Sequence, residues 1–431
     1  MSADDAITLG FLDTQEVTGS SPVGPTTGRD SFTRGLSRVV RALVWPSMST
    51  ADRLAPFGVT IFTEMTALAV EHGAINLGQG FPNWAGAGFV KEAAIRSMAG
   101  AEDDQYPPSP GVPALRQAIA AKYGPLLGRE LDPDVEVTVT SGCTEALAAS
   151  FLGLVNPGDE VVLIEPYYDS YPACAAMAGA IPRFVQLQPP DFRLDPDELR
   201  AAFSEKTTAI VLNTPHNPTG RVFSNEELQM VADLCLEFDA MVLADEVYEE
   251  ITFGEPHLRI ASLPGMSERT LTLSSLGKTF SLTGWKLGWA IGPAPLTAGI
   301  RSAHQFLTFT TPTPVQHGGV AALGAPATFF DDLRQSYQSK RDLLAEGLAG
   351  VGFDVYLPEG TYFLMAGFEA FGFADDRAFA RHMVEAAGVA VIPPSVFYNR
   401  PGGGKDLVRF AFCKDEATLM EAIGRMKRLA A

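Results

Sequence analysis

The chain has 431 residues, of which 46% are hydrophobic, enough to bury the cores of two packed domains. Its formal net charge of −19 argues against a protein that binds nucleic acid or an anionic membrane surface, because both need clustered Lys and Arg. The four cysteines form no CxxC pair and no group with zinc spacing, so we expect reduced thiols and no metal site. No apolar run is long enough for a membrane span or a secretory signal, which favours a cytoplasmic protein.

Residues 1–47 differ in composition from the rest of the chain. Small, turn-forming residues fill positions 18–28, and a short basic segment follows at positions 34–41. One interpretation is a targeting or regulatory arm; the other is a disordered extension or a start codon assigned too early. The second is favoured because Met48 opens a segment with the composition of ordinary folded protein.

Between residues 85 and 325, short β-branched runs alternate with helical periodicity. Capping signals mark two helix starts: Ser224 with Glu227 before residues 228–238, and Asp195 before Pro196. The alternation predicts an α/β fold with a mostly parallel sheet covered by helices on both faces. Ligands of such sheets collect at the carboxyl ends of the strands. The predicted strands are residues 136–140, 160–164, 209–213, 241–244 and 271–274.

The chain changes character beyond about residue 325. A long polar helix is predicted over residues 329–348, and separate strands are predicted at residues 353–357, 362–365 and 407–412. We therefore expect residues 326–431 to form a smaller α+β domain, together with an arm at residues 48–84. The larger domain would span residues 85–325.

Loops whose residues could bind a ligand follow the predicted strands. Residues 140–146 run from strand to small-residue loop to helix, so the backbone N–H groups of Cys143 and Thr144 would suit a phosphate. The next strand leads to Tyr168, which offers an aromatic face, although such tyrosines more often serve packing. The loop at residues 213–220 has two prolines and a glycine that would fix the amide of Asn217, beyond what a simple turn requires.

Two further loops carry ionisable residues. Asp245 ends a buried strand and needs a cationic partner, for which a protonated pyridine nitrogen qualifies; a helix N-cap is the alternative role. Tyr248 could then reach a phenolic oxygen on the same ring. Lys278 lies in a small-residue loop after the last of these strands, at the mouth of the expected site, whereas most lysines are merely solvated.

In order and spacing, these motifs resemble the fold-type I aminotransferases of class I and II, from about residue 50 to the C-terminus. The runs that carry the resemblance are residues 217–220 (Asn-Pro-Thr-Gly), Asp245 with Tyr248, residues 275–278 (Ser-Leu-Gly-Lys) and residues 284–286 (Gly-Trp-Lys). The resemblance implies pyridoxal 5'-phosphate as cofactor and a ping-pong transfer of an amino group between an L-amino acid and a 2-oxo acid. It also implies a homodimer with shared active sites.

The resemblance implies a role for each site residue. Lys278 is the catalytic lysine that carries the cofactor as a Schiff base, and Arg409 binds the substrate carboxylate, which Gly80 and Asn217 also approach. Lys286 stands where many relatives have arginine. Lysine keeps the positive charge but loses the bidentate geometry of arginine. The implied cofactor-binding residues are Cys143, Thr144, Tyr168, Asn217, Asp245, Tyr248, Ser275, Lys278, Lys286 and, from the partner subunit, Tyr106.

Residues 76–82 and 165–171 resemble one subgroup, which contains kynurenine, glutamine–phenylpyruvate, methionine and actinobacterial-type succinyldiaminopimelate aminotransferases. Residues 53–58 and 105–111 favour the last, and hence lysine biosynthesis. Three alternatives stay open: a cysteine-conjugate β-lyase that uses the same lysine, a non-catalytic regulator and a structural protein with accidental matches. The first 47 residues are too short and loop-like for the helix-turn-helix domain of a regulator.

Overall fold

A seven-stranded sheet lies at the centre of the computed structural model, which describes residues 50–430. The prediction for residues 1–47 lies outside the described residues. Within them, the strands are β1 (Ile75–Asn76), β2 (Val137–Thr140), β3 (Glu160–Glu165), β4 (Ile181–Gln186), β5 (Thr207–Asn213), β6 (Met241–Asp245), β7 (Thr270–Ser275), β8 (Gly288–Ile291), β9 (Asp354–Tyr356), β10 (Phe363–Gly367), β11 (Val389–Ala390) and β12 (Leu407–Ala411).

Helices separate most of these strands. A π-helical turn, Met383–Ala387, continues one of them. Among the described residues, no helix is long and apolar enough to cross a membrane. The α-helices are α1 (Ile61–Glu71), α2 (Gly88–Met98), α3 (Pro113–Leu126), α4 (Gly142–Leu154), α5 (Ser170–Ala178), α6 (Pro196–Ala201), α7 (Asn225–Glu237), α8 (Leu276–Thr279), α9 (Ala294–Leu307), α10 (Thr313–Leu323), α11 (Ala327–Val351), α12 (Asp376–His382) and α13 (Glu416–Met426).

The central sheet is parallel except at one strand. Its order is β2-β8-β7-β6-β5-β3-β4, and β8 pairs antiparallel with both of its neighbours. The other pairs are parallel, with Asn213 opposite Asp245 and Asp245 opposite Leu273. The carboxyl ends of β5, β6 and β7 therefore meet at one edge, which is where ligands bind in sheets of this kind.

Alternate residues of the central strands enter two different hydrophobic cores. In β5, Ala209 and Val211 pack in one core, whereas Ile210 and Leu212 pack in the other. The first core includes residues of α4 and α5, and the second includes residues of α7. Side chains alternate across a strand, so helices cover both faces of the sheet. This confirms the α/β class predicted from the sequence.

Two smaller sheets lie in the terminal parts of the described chain. Strands β9, β10 and β12 form an antiparallel sheet in the order β12-β10-β9. Strand β1, near the start of the described residues, pairs in parallel with β11, so Ile75 lies opposite Val389. The chain before residue 85 thus contacts the region after residue 326.

Candidate functional site

A cavity of about 270 Å³ opens at the carboxyl edge of the central sheet. The segments that follow β2, β3, β5, β6 and β7 all contribute to its wall, as parallel topology requires. Eleven of the site residues predicted from the sequence line this cavity: Gly80, Cys143, Thr144, Tyr168, Asn217, Asp245, Tyr248, Ser275, Lys278, Lys286 and Arg409.

Lys278 lies on the one-turn helix α8, directly after β7. Its Nζ is 5.5 Å from the ring centroid of Tyr248 and 5.9 Å from that of Tyr362. Burial lowers the pKa of the amine, and Lys286 and Arg409 lower it further, against the opposing effect of Asp245. A lower pKa increases the fraction of neutral amine, the form that acts as a nucleophile and as a base.

Asp245 is the last residue of β6 and is 4% exposed. The hydroxyl of Tyr171 donates a hydrogen bond of 2.7 Å to its Oδ2, and the N–H of Val247 donates one of 3.3 Å to its Oδ1. Burial raises the pKa of the carboxyl group, and the bond from Tyr171 is the largest effect that lowers it. A cation in the cavity would stabilise the ionised form further.

Two asparagines extend this geometry across β5. The side-chain amide of Asn213 donates to the backbone carbonyl of Asp245 at 2.8 Å, and its oxygen accepts from the N–H of Asn217 at 2.7 Å. The side-chain oxygen of Asn217 accepts in turn from Arg409 Nη1 at 3.0 Å. The side-chain amide nitrogen of Asn217 is therefore the group left to donate into the cavity. Tyr248, 2% exposed, packs edge-on against Tyr362.

The first turn of α4 forms one end of the cavity. Gly142, at φ +75, begins the helix, and Cys143 and Thr144 follow it in the cavity wall. Lys286 Nζ donates to Thr144 Oγ1 at 3.1 Å. A Cβ on Gly142 would lie 3.3 Å from that nitrogen, so only glycine leaves the space open. Free backbone N–H groups beside a lysine make a cradle for an anion.

Arg409 on β12 forms the opposite end and is 1% exposed. Its Nη2 donates to the carbonyl of Gly78 at 2.9 Å, and its guanidinium lies 4.1 Å from the ring centroid of Phe363. Burial lowers the pKa of Arg409 to about 10, so the group stays charged at neutral pH. Gly80 lies nearby, with its carbonyl accepting from the hydroxyl of Tyr362 at 2.7 Å.

Tyr106 is the one predicted site residue that does not line the cavity. Its side chain is 84% exposed, and its ring lies 5.5 Å from that of Phe309, edge to face. Within one chain it is therefore a surface residue.

Several wall residues carried no sequence prediction. Tyr171 and Asn213 lie within motifs that the sequence singles out, so the place of Tyr171 after β3 and that of Asn213 at the end of β5 are a usable signal. Phe62 and Phe363 come from distant segments, and their contact with Arg409 depends on tertiary structure that no local pattern encodes.

Comparison with known proteins decides the family. The model of the aminotransferase class I and II family matches residues 73–426. The chain belongs to this family. A probable N-succinyldiaminopimelate aminotransferase of Mycobacterium tuberculosis is 46% identical over 392 residues, covering 88% of this chain and 98% of that protein. A kynurenine–oxoglutarate transaminase of Dictyostelium discoideum is 39% identical over 432 residues, covering 91% and 99%.

A solved structure agrees. That of N-succinyldiaminopimelate aminotransferase from Mycobacterium tuberculosis has a TM-score of 0.86 and 47% identity, covering 88% of this chain and 100% of that one. The aminotransferase activity and the pyridoxal phosphate cofactor predicted from the sequence are thereby confirmed. The matches do not favour the β-lyase, the regulator or the structural protein.

The residues of the cavity fit pyridoxal phosphate. One cavity is lined by a buried carboxylate, a primary amine of lowered pKa and an anion cradle. Each of the three suits a different group of the cofactor. When bound, the cofactor supplies an electron sink that stabilises a carbanion at the substrate's Cα.

Proposed function

We propose that this aminotransferase moves the amino group of N-succinyl-diaminopimelate to 2-oxoglutarate in two half-reactions. The observation that carries the proposal is the 46% identity, over nearly the whole of both chains, to a relative named for that donor. The kynurenine–oxoglutarate transaminase from Dictyostelium is 39% identical. The activity belongs to lysine biosynthesis, in the cytoplasm.

In this proposal the cavity holds the cofactor by three groups of contacts. Asp245 binds the ring nitrogen as a carboxylate, because Tyr171 stabilises its ionised form. Tyr248 and the free side-chain amide nitrogen of Asn217 would donate to the phenolic oxygen, and Tyr168 would stack on the ring. The phosphate would be held in the cradle of α4 by Cys143, Thr144, Ser275 and Lys286.

Lys278 has two tasks in the proposal. Its amine would hold the cofactor covalently, and as a neutral base it would remove the proton from the substrate's Cα. The lowered pKa of Lys278 supports both tasks, because each begins from the unprotonated amine. The position of its Nζ beside Tyr248 keeps it at the ring side of the cavity.

Arg409 binds the α-carboxylate of the donor and of the acceptor in the proposal. Its two bonds to Asn217 and Gly78 fix the guanidinium plane, so that the fork is oriented before substrate arrives. Its Nε is buried without a hydrogen-bond partner among the described residues, and a bound carboxylate would supply one. The backbone of Gly80 approaches the same carboxylate.

The aromatic wall beside Arg409 supports two classes of donor side chain. Phe62, Phe81 and Phe363 line the cavity and give a largely apolar surface for the methylene chain of an acylated diamino acid. The same rings would accept a methionine or kynurenine side chain by packing or stacking. Methionine-, kynurenine- or glutamine-type donors are therefore the second candidate.

We further propose that the active protein is a homodimer in which Tyr106 reaches the phosphate of the partner's cofactor. Its exposed ring contacts that of Phe309, and Phe306 and Leu307, which are also exposed, lie close to Phe309 in the chain. An apolar patch of this kind marks an interaction surface. Residues 85–325 form the cofactor-binding domain in this proposal, and residues 326–431 with the arm at 48–84 form the smaller one.

A donor panel tests the substrate. Steady-state kcat/KM is measured for N-succinyl-diaminopimelate, methionine, kynurenine and glutamine, each with 2-oxoglutarate and with pyruvate. We expect the succinylated donor with 2-oxoglutarate to exceed every other pair by about tenfold or more. A higher value for methionine or kynurenine would reject the first candidate and select the second. Lys278→Ala serves as the inactive control.

A further inference from the structure

A buried ion pair lies behind the anion cradle, outside the cavity wall. His304 on α9 and Glu145 in the first turn of α4 are joined by 2.6 Å between Nδ1 and Oε1. His304 is 0% exposed and Glu145 is 8% exposed. Neither residue touches the reacting groups, so the pair needs an explanation other than direct catalysis.

The partners of His304 determine its protonation. Its Nε2 lies 2.8 Å from the carbonyl oxygen of Ser109, which can only accept, so Nε2 carries a hydrogen. Its Nδ1 faces a carboxylate that already accepts from the hydroxyl of Thr308, at 2.5 Å, and from the N–H of Ser141. A bare Nδ1 would leave two lone pairs facing each other, so both nitrogens are protonated and the ring is a cation.

Glu145 stands where a negative charge affects anion binding. One of its oxygens accepts from the N–H of Ser141, the residue before the cradle, and the cavity wall begins at Gly142. An uncompensated carboxylate within the first turn of α4 would repel a phosphate bound at the same helix end. The imidazolium of His304 cancels that charge.

We propose that His304 is a positioning residue that, as a cation, neutralises Glu145 beside the phosphate and ties residues 106–110 to the start of α4. The inference rests on the phosphate site described under Proposed function. It predicts that loss of the His304 charge weakens binding of the phosphate group and leaves binding of the pyridoxal ring unchanged.

Few other ionisable groups face His304. Arg301 lies one turn earlier on α9 and is held by Thr138 and the carbonyl of Val137. On α4 the facing group is Glu145, and residues 106–110 present the Ser109 carbonyl. Among described residues, β2 under the helix offers no ionisable side chain.

The direction of the pH effect follows. Burial lowers the pKa of His304, but the hydrogen bond to Glu145, the charge of Glu145 and the bond to the Ser109 carbonyl together outweigh it and leave the pKa above its ordinary value. Burial likewise raises the pKa of Glu145, and the bonds from His304, Ser141 and Thr308 outweigh it, leaving that pKa low. The pair is therefore intact between the lowered pKa of Glu145 and the raised pKa of His304, and it is lost as pH rises through the latter.

Two ligands separate the phosphate from the ring. The full chain, freed of cofactor, is titrated by fluorescence with pyridoxal phosphate and with pyridoxal, from about pH 7 to about pH 10. We expect His304→Gln to reduce affinity for pyridoxal phosphate about tenfold at the lower pH, with pyridoxal unchanged. His304→Lys, which keeps the charge, should restore the preference. The wild-type preference should fall across the range, and that of His304→Gln should stay flat.

Matched variants make the outcome decisive. His317→Gln removes a half-exposed histidine that lies 3.3 Å from Asp103 and should change neither affinity. Glu145→Gln combined with His304→Gln removes both charges and should recover the preference even if His304→Gln alone folds poorly. Equal loss for both ligands, or no recovery in the double variant and in His304→Lys, overturns the inference. Lys286→Ala tests the premise, which is the phosphate site itself. If Lys286→Ala lowers the affinity for pyridoxal phosphate and His304→Gln does not, only the role of His304 is wrong. If neither variant lowers that affinity, the phosphate site and the role of His304 are both wrong.

Discussion

Asp245 illustrates how the surroundings of one carboxyl group prepare it for a task. It is buried at the end of β6, where desolvation favours the neutral acid, yet Tyr171 and the N–H of Val247 both donate to it. These two neutral donors stabilise the carboxylate, and a positively charged partner would stabilise it further. Under the proposed function, a pyridinium nitrogen would complete that arrangement.

Replacing Asp245 by Asn should keep the cofactor bound and reduce kcat by about 100-fold or more, because a neutral amide cannot hold the ring nitrogen protonated. Stopped-flow absorbance of the first half-reaction measures the effect. Asp245→Glu keeps the charge and should be milder. Wild-type rates in Asp245→Asn would show that the ring nitrogen lies elsewhere.

Arg409→Ala should raise KM for amino donors and for 2-oxo acids alike by about tenfold or more, the value of a charge-assisted bond to a carboxylate. Under the proposed function, Arg409 binds the carboxylate in both half-reactions, so the two KM values should rise together. The absorbance spectrum of the resting enzyme should barely change. Arg400→Ala, at a half-exposed arginine bound to Glu198, is the control. Unchanged KM values would mean that another cation binds the carboxylate.

Residues that follow strands were predictable one by one. Asp245, Asn217 and Lys278 each come soon after a β-branched run, and a parallel sheet must bring such positions to one edge. Phe62 was not predictable, because it lies on α1 and reaches Arg409 only through the packing of distant segments. The His304–Glu145 pair was missed for the same reason.

At the scale of elements, the start of α4 shows how a backbone conformation makes a site. We expect Gly142→Ala to weaken pyridoxal phosphate about tenfold, because a Cβ there enters the space beside Lys286 Nζ. The matched control is Gly158→Ala, at φ +92 with open space around it. Both variants should lose about 1 kcal/mol of stability from strain at positive φ. Fluorescence titration should show lower affinity in Gly142→Ala alone; equal affinities would place the phosphate elsewhere.

The predicted elements were confirmed where burial was uniform. Strands at β3, β5, β6 and β7 matched to within about two residues, and the Ser224–Glu227 capping box begins α7. Two strands of the central sheet were missed. β4 is an edge strand with mostly exposed or half-exposed residues, a proline and an arginine, so it lacks an apolar run. β8 has only four residues and begins with glycine.

At the scale of the whole molecule, the exposure of Tyr106 bears on assembly. Subunits of Lys278→Ala and of a Tyr106→Ala variant, weakened in cofactor binding, are mixed under conditions that exchange chains. If sites are shared, a mixed dimer has one site with both lesions and one with neither, so activity should recover to about a quarter to a half of wild type. Proven exchange without recovery, or a fully active monomer, would refute shared sites.

The reversed strand β8 has a consequence for the durability of the site. It begins at the edge where its antiparallel neighbours β2 and β7 end, and Ser275 pairs with Gly288 across the ladder. The segment between these residues is therefore a closed loop that carries both Lys278 and Lys286. Under the proposed function, this pairing helps to set the distance between the lysine that carries the cofactor and the lysine that faces its phosphate. Arg409 lies on a separate sheet, so under the proposed function its loss should affect turnover more than retention of the cofactor.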